Sequence, residues 1–167
     1  FVNFENDIKQ GQDTSYFIDP ATGERYVLPA IDLNDKNTTN KAFLFSQATQ
    51  TLFDKLKLNL GLRYDYFGFI NKKNYISPRV SLVYQLSKVF NFSLAYGTFY
   101  QSPSYVWLVA NDQNRNLKDI NSKHYIAGIE YLFSPDLRMT LEVYYKDYSD
   151  YPVSTIRPYL ILANNGG

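Results

Sequence analysis

From residue 56 to residue 66 the chain alternates without a break. Leu56, Leu58, Leu60, Leu62, Tyr64 and Tyr66 share one parity, and Lys57, Asn59, Gly61, Arg63 and Asp65 share the other. A period of two puts the sets on opposite faces of a β-strand, whereas a helix would mix them. The pattern returns downstream. Val80, Leu82, Tyr84 and Leu86 oppose Arg79, Ser81 and Gln85, with Val83 the exception. Phe90, Phe92, Leu94, Tyr96 and Tyr100 oppose Asn91, Ser93, Ala95, Gly97 and Gln101. Tyr125, Ala127, Ile129, Tyr131 and Phe133 oppose His124, Gly128 and Glu130; Leu137, Met139, Leu141, Val143 and Tyr145 oppose Arg138, Thr140, Glu142, Tyr144, Lys146 and Tyr148. Residues 42–52 are strand-like, but Gln47 and Gln50 fall on opposite parities and leave the faces unassigned.

The connections alternate in length. Those at 53–55, 87–88 and 134–136 are tight enough for hairpins; those at 68–75 and 102–121 are longer and rich in Asn and Asp. Short turns at one end and long loops at the other follow the rule for transmembrane barrels. Alternation alone also suits a soluble sandwich, but three further features favour lipid. The segments run about 10 to 13 residues, near the ~9–11 of a tilted membrane strand and above the ~5–6 of a soluble one. Their apolar faces are uncharged over most of their length. Tyr and Phe crowd the strand ends, at Tyr64, Tyr66 and Phe67; Phe90 and Phe92; Tyr96, Phe99 and Tyr100; Tyr131 and Phe133; Tyr144, Tyr145 and Tyr148. Rings bounding an aliphatic band form the girdles of a membrane barrel. The expected fold is all-β, an antiparallel transmembrane β-barrel.

Composition removes other classes. Seventeen Lys and Arg against 16 Asp and Glu leave a formal charge of +1, without the basic excess of a nucleic-acid binder. No cysteine is present, so there is no disulfide framework, thiolate metal site or thiol nucleophile. No apolar run approaches the roughly 20 residues of a spanning helix, and no apolar targeting segment is visible. His124 is the single histidine; it has no partner histidine for a metal and no serine or aspartate at a readable catalytic spacing. Neither catalytic nor metal-binding residues are expected, nor a cofactor, and a rim hydrogen bond is the favoured role for His124.

Residues 1–40 read as a polar, turn-rich barrel region with one or two short strands, near 14–18 and 26–33, and a loop at 36–41. Residues 41–153 carry the barrel strands, and 154–167 read as an extracellular loop or the start of another strand. Six segments plus one or two more could close an eight-stranded barrel. The Ala-Asn-Asn-Gly-Gly at 163–167 instead reads as mid-loop, and lipid cannot satisfy an open sheet edge. The chain is therefore expected to be a partial arc of a larger barrel.

Several stretches, in this order and spacing, resemble a known family. Residues 58–66 read Leu-Asn-Leu-Gly-Leu-Arg-Tyr-Asp-Tyr, 76–82 Ile-Ser-Pro-Arg-Val-Ser-Leu and 95–103 Ala-Tyr-Gly-Thr-Phe-Tyr-Gln-Ser-Pro. Leu-Lys at 117–118, Gly-Ile-Glu-Tyr at 128–131 and Glu-Val-Tyr-Tyr-Lys-Asp-Tyr at 142–148 follow. Across residues 41–153 the series resembles the later barrel strands of TonB-dependent outer-membrane receptors, with the flavour of Bacteroidetes-type Gram-negative members. The resemblance implies a 22-stranded barrel in the outer membrane whose lumen is closed by an N-terminal plug. It implies active import of a scarce solute (an iron-siderophore, cobalamin, glycan or peptide) with energy delivered through TonB. The implied partners are the lipid bilayer and the TonB complex, reached through a plug not recognisable in these residues; a surface lipoprotein or other outer-membrane subunit is a further candidate. After Leu117-Lys118 many relatives carry Pro-Glu; here Asp119, Ile120 and Asn121 follow. The competing readings are a small, complete eight-stranded barrel with a structural or adhesive role, a passive porin, and a soluble β-sheet module.

Two groups of residues are candidates for function. Gln101, Tyr105, Trp107 and Asn111 sit at a strand end and in the long loop after it, where rings and amides could stack on and hydrogen-bond a solute. Arg63, Asp65, Arg79, Glu130, Glu142 and Lys146 fall on the polar parity and are expected to face the lumen, pairing across strands or meeting a plug or polar solute. Asp147 lies on the apolar parity near a strand end and marks the boundary of the hydrocarbon band.

Overall fold

Strands with one apolar face find their hydrogen-bonding partners in chain order here. A computed structural model describes residues 2–12, 15–18, 22–28 and 31–153. The elements are β1 (Val2–Gln12), β2 (Ser15–Ile18), β3 (Arg25–Leu28), β4 (Ile31–Leu52), β5 (Leu56–Phe67), β6 (Asn74–Gln85), β7 (Phe90–Gln101), α1 (Tyr105–Ala110), a 3-10 turn (Asp112–Asn116), β8 (Ile120–Ser134) and β9 (Leu137–Ser149). One seven-stranded antiparallel sheet runs β1-β4-β5-β6-β7-β8-β9, and β2 and β3 form a separate hairpin. The sheet is an open arc with β1 and β9 at its edges.

The register carries the alternation from strand to strand. Leu58, Leu82, Leu94, Ala127 and Val143 form one cross-strand row; Leu60, Val80, Tyr96, Tyr125 and Tyr145 form the next. Pairing with β5 also assigns β4: Leu44, Ser46, Ala48 and Leu52 join the apolar face, while Phe43, Phe45, Gln47 and Thr49 join the polar one. The apolar face is not covered by protein. Leu60, Leu62, Leu94 and Val143 are 49%, 54%, 45% and 64% exposed. A continuous aliphatic face of this kind is a liability in water and a requirement in lipid. Tyrosines flank it, with ring centroids 5.0 Å apart for Tyr96–Tyr125 and 6.0 Å for Tyr125–Tyr145.

Three expectations are corrected. Residues 36–41 are not a loop; they lie inside β4, whose residues 31–40 pair with β1 alone. This ribbon continues past the end of β5, where polar residues need no apolar alternation, so periodicity gave no sign of it. The strand expected near 14–18 is β2, and the stretch 26–33 divides between β3 and the start of β4. Secondly, Phe67, Phe99, Tyr144 and Tyr148 do not belong to the apolar girdle. Their parity places them with the polar face, and Phe67 is buried under loops. Thirdly, His124, read from its position after the long connection as the residue that begins a strand, stands inside β8, which starts at Ile120. The expectation for 154–167 lies outside the described residues.

The turns show how local chemistry closes the hairpins. Between β4 and β5 the Lys55 N–H donates to the Leu52 carbonyl at 3.2 Å, with Phe53 and Asp54 at φ 52° and 56°. Two left-handed residues give the twist a tight hairpin needs, although Phe is poorly suited to that region. Pro78 is the first residue beyond the last β6–β7 pair, Arg79↔Gly97; having no N–H, it contributes no donor to a ladder. Above it the two strands are no longer paired, and Tyr75 and Tyr100 meet there with ring centroids 4.7 Å apart.

The buried hydrophobic cluster sits at this loop end of the sheet. Phe67, Phe69, Ile70, Tyr75 and Leu108 form it, with Tyr100, Tyr105, Val109 and Leu117 packed against them. Segment 68–73 and the long 102–119 connection are thereby joined into one structured unit. The Asn71 N–H donates to the Arg115 carbonyl at 2.8 Å, and Asn71 Nδ2 donates to Asn116 Oδ1 at 2.7 Å.

Candidate functional site

At the mouth, the middle of β4, the ends of β5 to β7 and the base of the 102–119 connection enclose a pocket of ≈ 290 Å³. Lys41, Phe43, Arg63, Asp65, Tyr75, Tyr100, Ser102 and Asp119 are among its lining residues. Asp119 is buried. Its backbone N–H donates to the Tyr75 hydroxyl at 2.8 Å, and one carboxylate oxygen accepts from Ser102 Oγ at 3.3 Å. Burial raises the Asp119 carboxyl pKa to about 6, against the lowering effects of the Ser102 hydrogen bond and the Lys41 charge. Lys41 Nζ lies 4.2 Å from the Phe67 ring centroid and 5.0 Å from that of Tyr105. Arg63 grips Asp65 through both oxygens, with Nε at 2.8 and 3.0 Å and one terminal nitrogen at 2.7 Å, while its guanidinium stands 4.8 Å over the Phe43 ring. Two cations and two carboxylates thus line an aromatic-walled cleft.

The loop candidates are distributed around this unit. Tyr105 is half-buried, edge-on to Phe67 and Phe69 at 5.5 and 5.7 Å. Trp107 is half-buried on α1, and its carbonyl accepts from Asn114 Nδ2 at 2.6 Å. The Asn111 side chain caps the 3-10 turn by accepting the Gln113 N–H at 2.8 Å, so its amide oxygen serves the loop. Gln101 is exposed at the end of β7, opposite Ile120. Sequence reasoning did not single out Lys41, Phe43, Tyr75, Tyr100, Ser102 and Asp119 for this mouth. The available signal was Asp119 itself, a carboxylate directly before a strand.

Arg63, Asp65, Arg79, Glu130, Glu142 and Lys146 share the polar face. Arg63 and Asp65 pair within one strand, two residues apart. Glu130 pairs diagonally across strands with Arg138 at 3.4 Å and accepts from Asn91 Nδ2 at 3.0 Å. Glu142 and Lys146, four residues apart in an extended strand, are separated by roughly 13 Å along the backbone and do not form one pair. Arg79 stands 4.5 Å over the Phe99 ring, which lies 4.6 Å from the His124 ring. His124 Nε2 is 2.7 Å from Ser122 Oγ, two residues away on the same face of β8. On the apolar face, Asp147 is the register partner of Lys123. Among the described residues, no three His, Cys, Asp or Glu side chains converge as metal ligands would.

A search of curated proteins finds no match to this sequence. The model of the family described as TonB dependent receptor-like, beta-barrel matches residues 2–166. With an antiparallel arc that bares an aliphatic face and carries most of its charges on the other, the chain belongs to the TonB-dependent receptor β-barrel family, whose members are outer-membrane transporters and not enzymes.

Proposed function

We propose that this chain is part of the wall of an active importer, with its polar face toward the lumen and its structured loop unit at the extracellular mouth. A scarce solute of the siderophore, cobalamin, glycan or peptide kind binds at that mouth. It then passes inward when the TonB complex, acting through a plug domain carried elsewhere in the protein, rearranges the barrier. The observation that carries this reading is the mouth pocket, where buried Asp119, Tyr75, Ser102 and the Arg63–Asp65 pair present fixed polar groups between aromatic walls. A few placed polar groups in an apolar-walled cleft are the usual build of a solute site. The charged groups lower on the same face suit a wet or plugged lumen.

The test is depletion of a panel of ferric siderophores, cobalamin, oligosaccharides and peptides by cells with and without the receptor, each with the proton gradient intact or collapsed. One class should be depleted only when receptor and gradient are both present. Uptake that survives collapse of the gradient would make the protein a passive pore, and no receptor-dependent uptake of any class would remove the import reading.

A further inference from the structure

We propose that Arg79 anchors an anion-binding position on the polar face, a seat for a carboxylate or phosphate group. Gln47, Gly61, Arg79, Gly97, His124 and Lys146 form one cross-strand row over β4 to β9. The row holds two permanent cations and an imidazole, and no carboxylate. Elsewhere on this face Arg63 is neutralised by Asp65 and Arg138 by Glu130; among the described residues no carboxylate lies within ion-pair distance of Arg79.

The guanidinium is held rather than merely present. Its Cζ lies 4.5 Å from the Phe99 ring centroid, and that ring in turn lies 4.6 Å from the His124 ring, tilted by 40°. Gly97, directly opposite Arg79, makes room for this: a Cβ there would come within 2.9 Å of the Phe99 ring. Gly61 on the other side of Arg79 likewise projects no side chain, and the result is a depression of ≈ 270 Å³. No acidic residue lines it. Asn59 is already engaged, accepting from Thr49 Oγ1 at 2.6 Å and donating to Ser81 Oγ at 3.0 Å. A guanidinium carries its N–H groups in a fork that matches a planar carboxylate or a phosphate. A neutral occupant would leave that charge unanswered. The anionic group can come from another segment of the same protein docked on this face or from a solute. The inference stands on the geometry of the row, independent of which solute is imported and of energy coupling.

The experiment is arginine-specific dicarbonyl labelling of the full-length receptor in detergent, with modification of Arg79 read by peptide mass and exposed Arg115 as the internal reference. It is run alone, with inorganic phosphate, and in roughly 1 M sodium chloride, where the Debye length falls to about 3 Å. Arg79 that labels readily and is slowed several-fold by phosphate relative to Arg115 identifies a solute-accessible anion seat. Arg79 that is protected without additive and released by salt identifies a carboxylate of the protein's own chain. Labelling that phosphate does not slow, or protection that salt does not release, overturns the proposal.

Discussion

The Tyr75 hydroxyl accepts the backbone N–H of Asp119 at 2.8 Å, closing a loop of 44 positions with one buried hydrogen bond. Both residues are 3% exposed. The bond ties the top of β6 to the residue that launches β8, at the level where β6 and β7 are no longer paired. The mouth is therefore held by loop packing and this polar contact, whereas the wall below it is held by ladders.

Tyr75→Phe keeps the ring and removes the acceptor. A buried N–H left unsatisfied costs about 1–3 kcal/mol. Hydrogen exchange across residues 102–119 should accelerate accordingly while that of β5 and β7 stays unchanged. Unaltered protection of 102–119 would show that the aromatic cluster alone holds the unit.

The Asp119 carboxyl, outside the spanning strands, has its pKa raised from 3.8 to about 6, chiefly by burial. The folded mouth then binds a proton more tightly than the unfolded segment. Its stability should rise as pH falls from above 6 toward 4, and be lost as pH rises through about 6. Protease resistance of the 102–119 segment, followed from pH 7.5 to 5, should increase in the native protein and stay flat in Asp119→Asn. Resistance that falls on acidification contradicts the assignment.

Val143 and Tyr144 are neighbours at one depth on opposite faces of β9, both exposed. Val143→Arg puts a charge into the lipid-facing band at a cost of about 2–4 kcal/mol if it lies near the midplane. Tyr144→Arg should change stability by less than about 1 kcal/mol. Urea unfolding of the full receptor in lipid vesicles measures both, and equal penalties would mean the faces are assigned wrongly.

Phe53 holds a left-handed conformation at a hairpin tip and is 92% exposed, so nothing it contacts offsets the strain. Phe53→Gly should relieve about 1 kcal/mol or slightly more, since glycine adopts φ > 0 without steric cost. A lower urea midpoint for Phe53→Gly would indicate that the ring anchors the turn at the membrane interface.

Alternation along one strand settled a great deal in advance. The parity of Leu58, Leu60 and Leu62 against Asn59, Gly61 and Arg63 fixed the faces of β5, and neighbouring strands had to match them. Side-chain direction in an extended chain is a local property with a period of two, so it can be read residue by residue. The β1–β4 ribbon was illegible for the converse reason: outside the membrane band its polar residues carry no periodic signal.

What the sequence determined by itself is therefore the antiparallel sheet, the identity of its lipid face, the hairpin turns and the family. Only the tertiary structure decided that Phe67, Tyr75 and Leu108 share a core, that Asp119 is buried against Tyr75, and that Phe99 meets both Arg79 and His124. Apart from Phe67 and Tyr75, those meetings join residues 20 to 44 positions apart, and they depend on cross-strand register and on where each ladder stops. Register is set cooperatively by every pair in the sheet, so it has no signature at any single position.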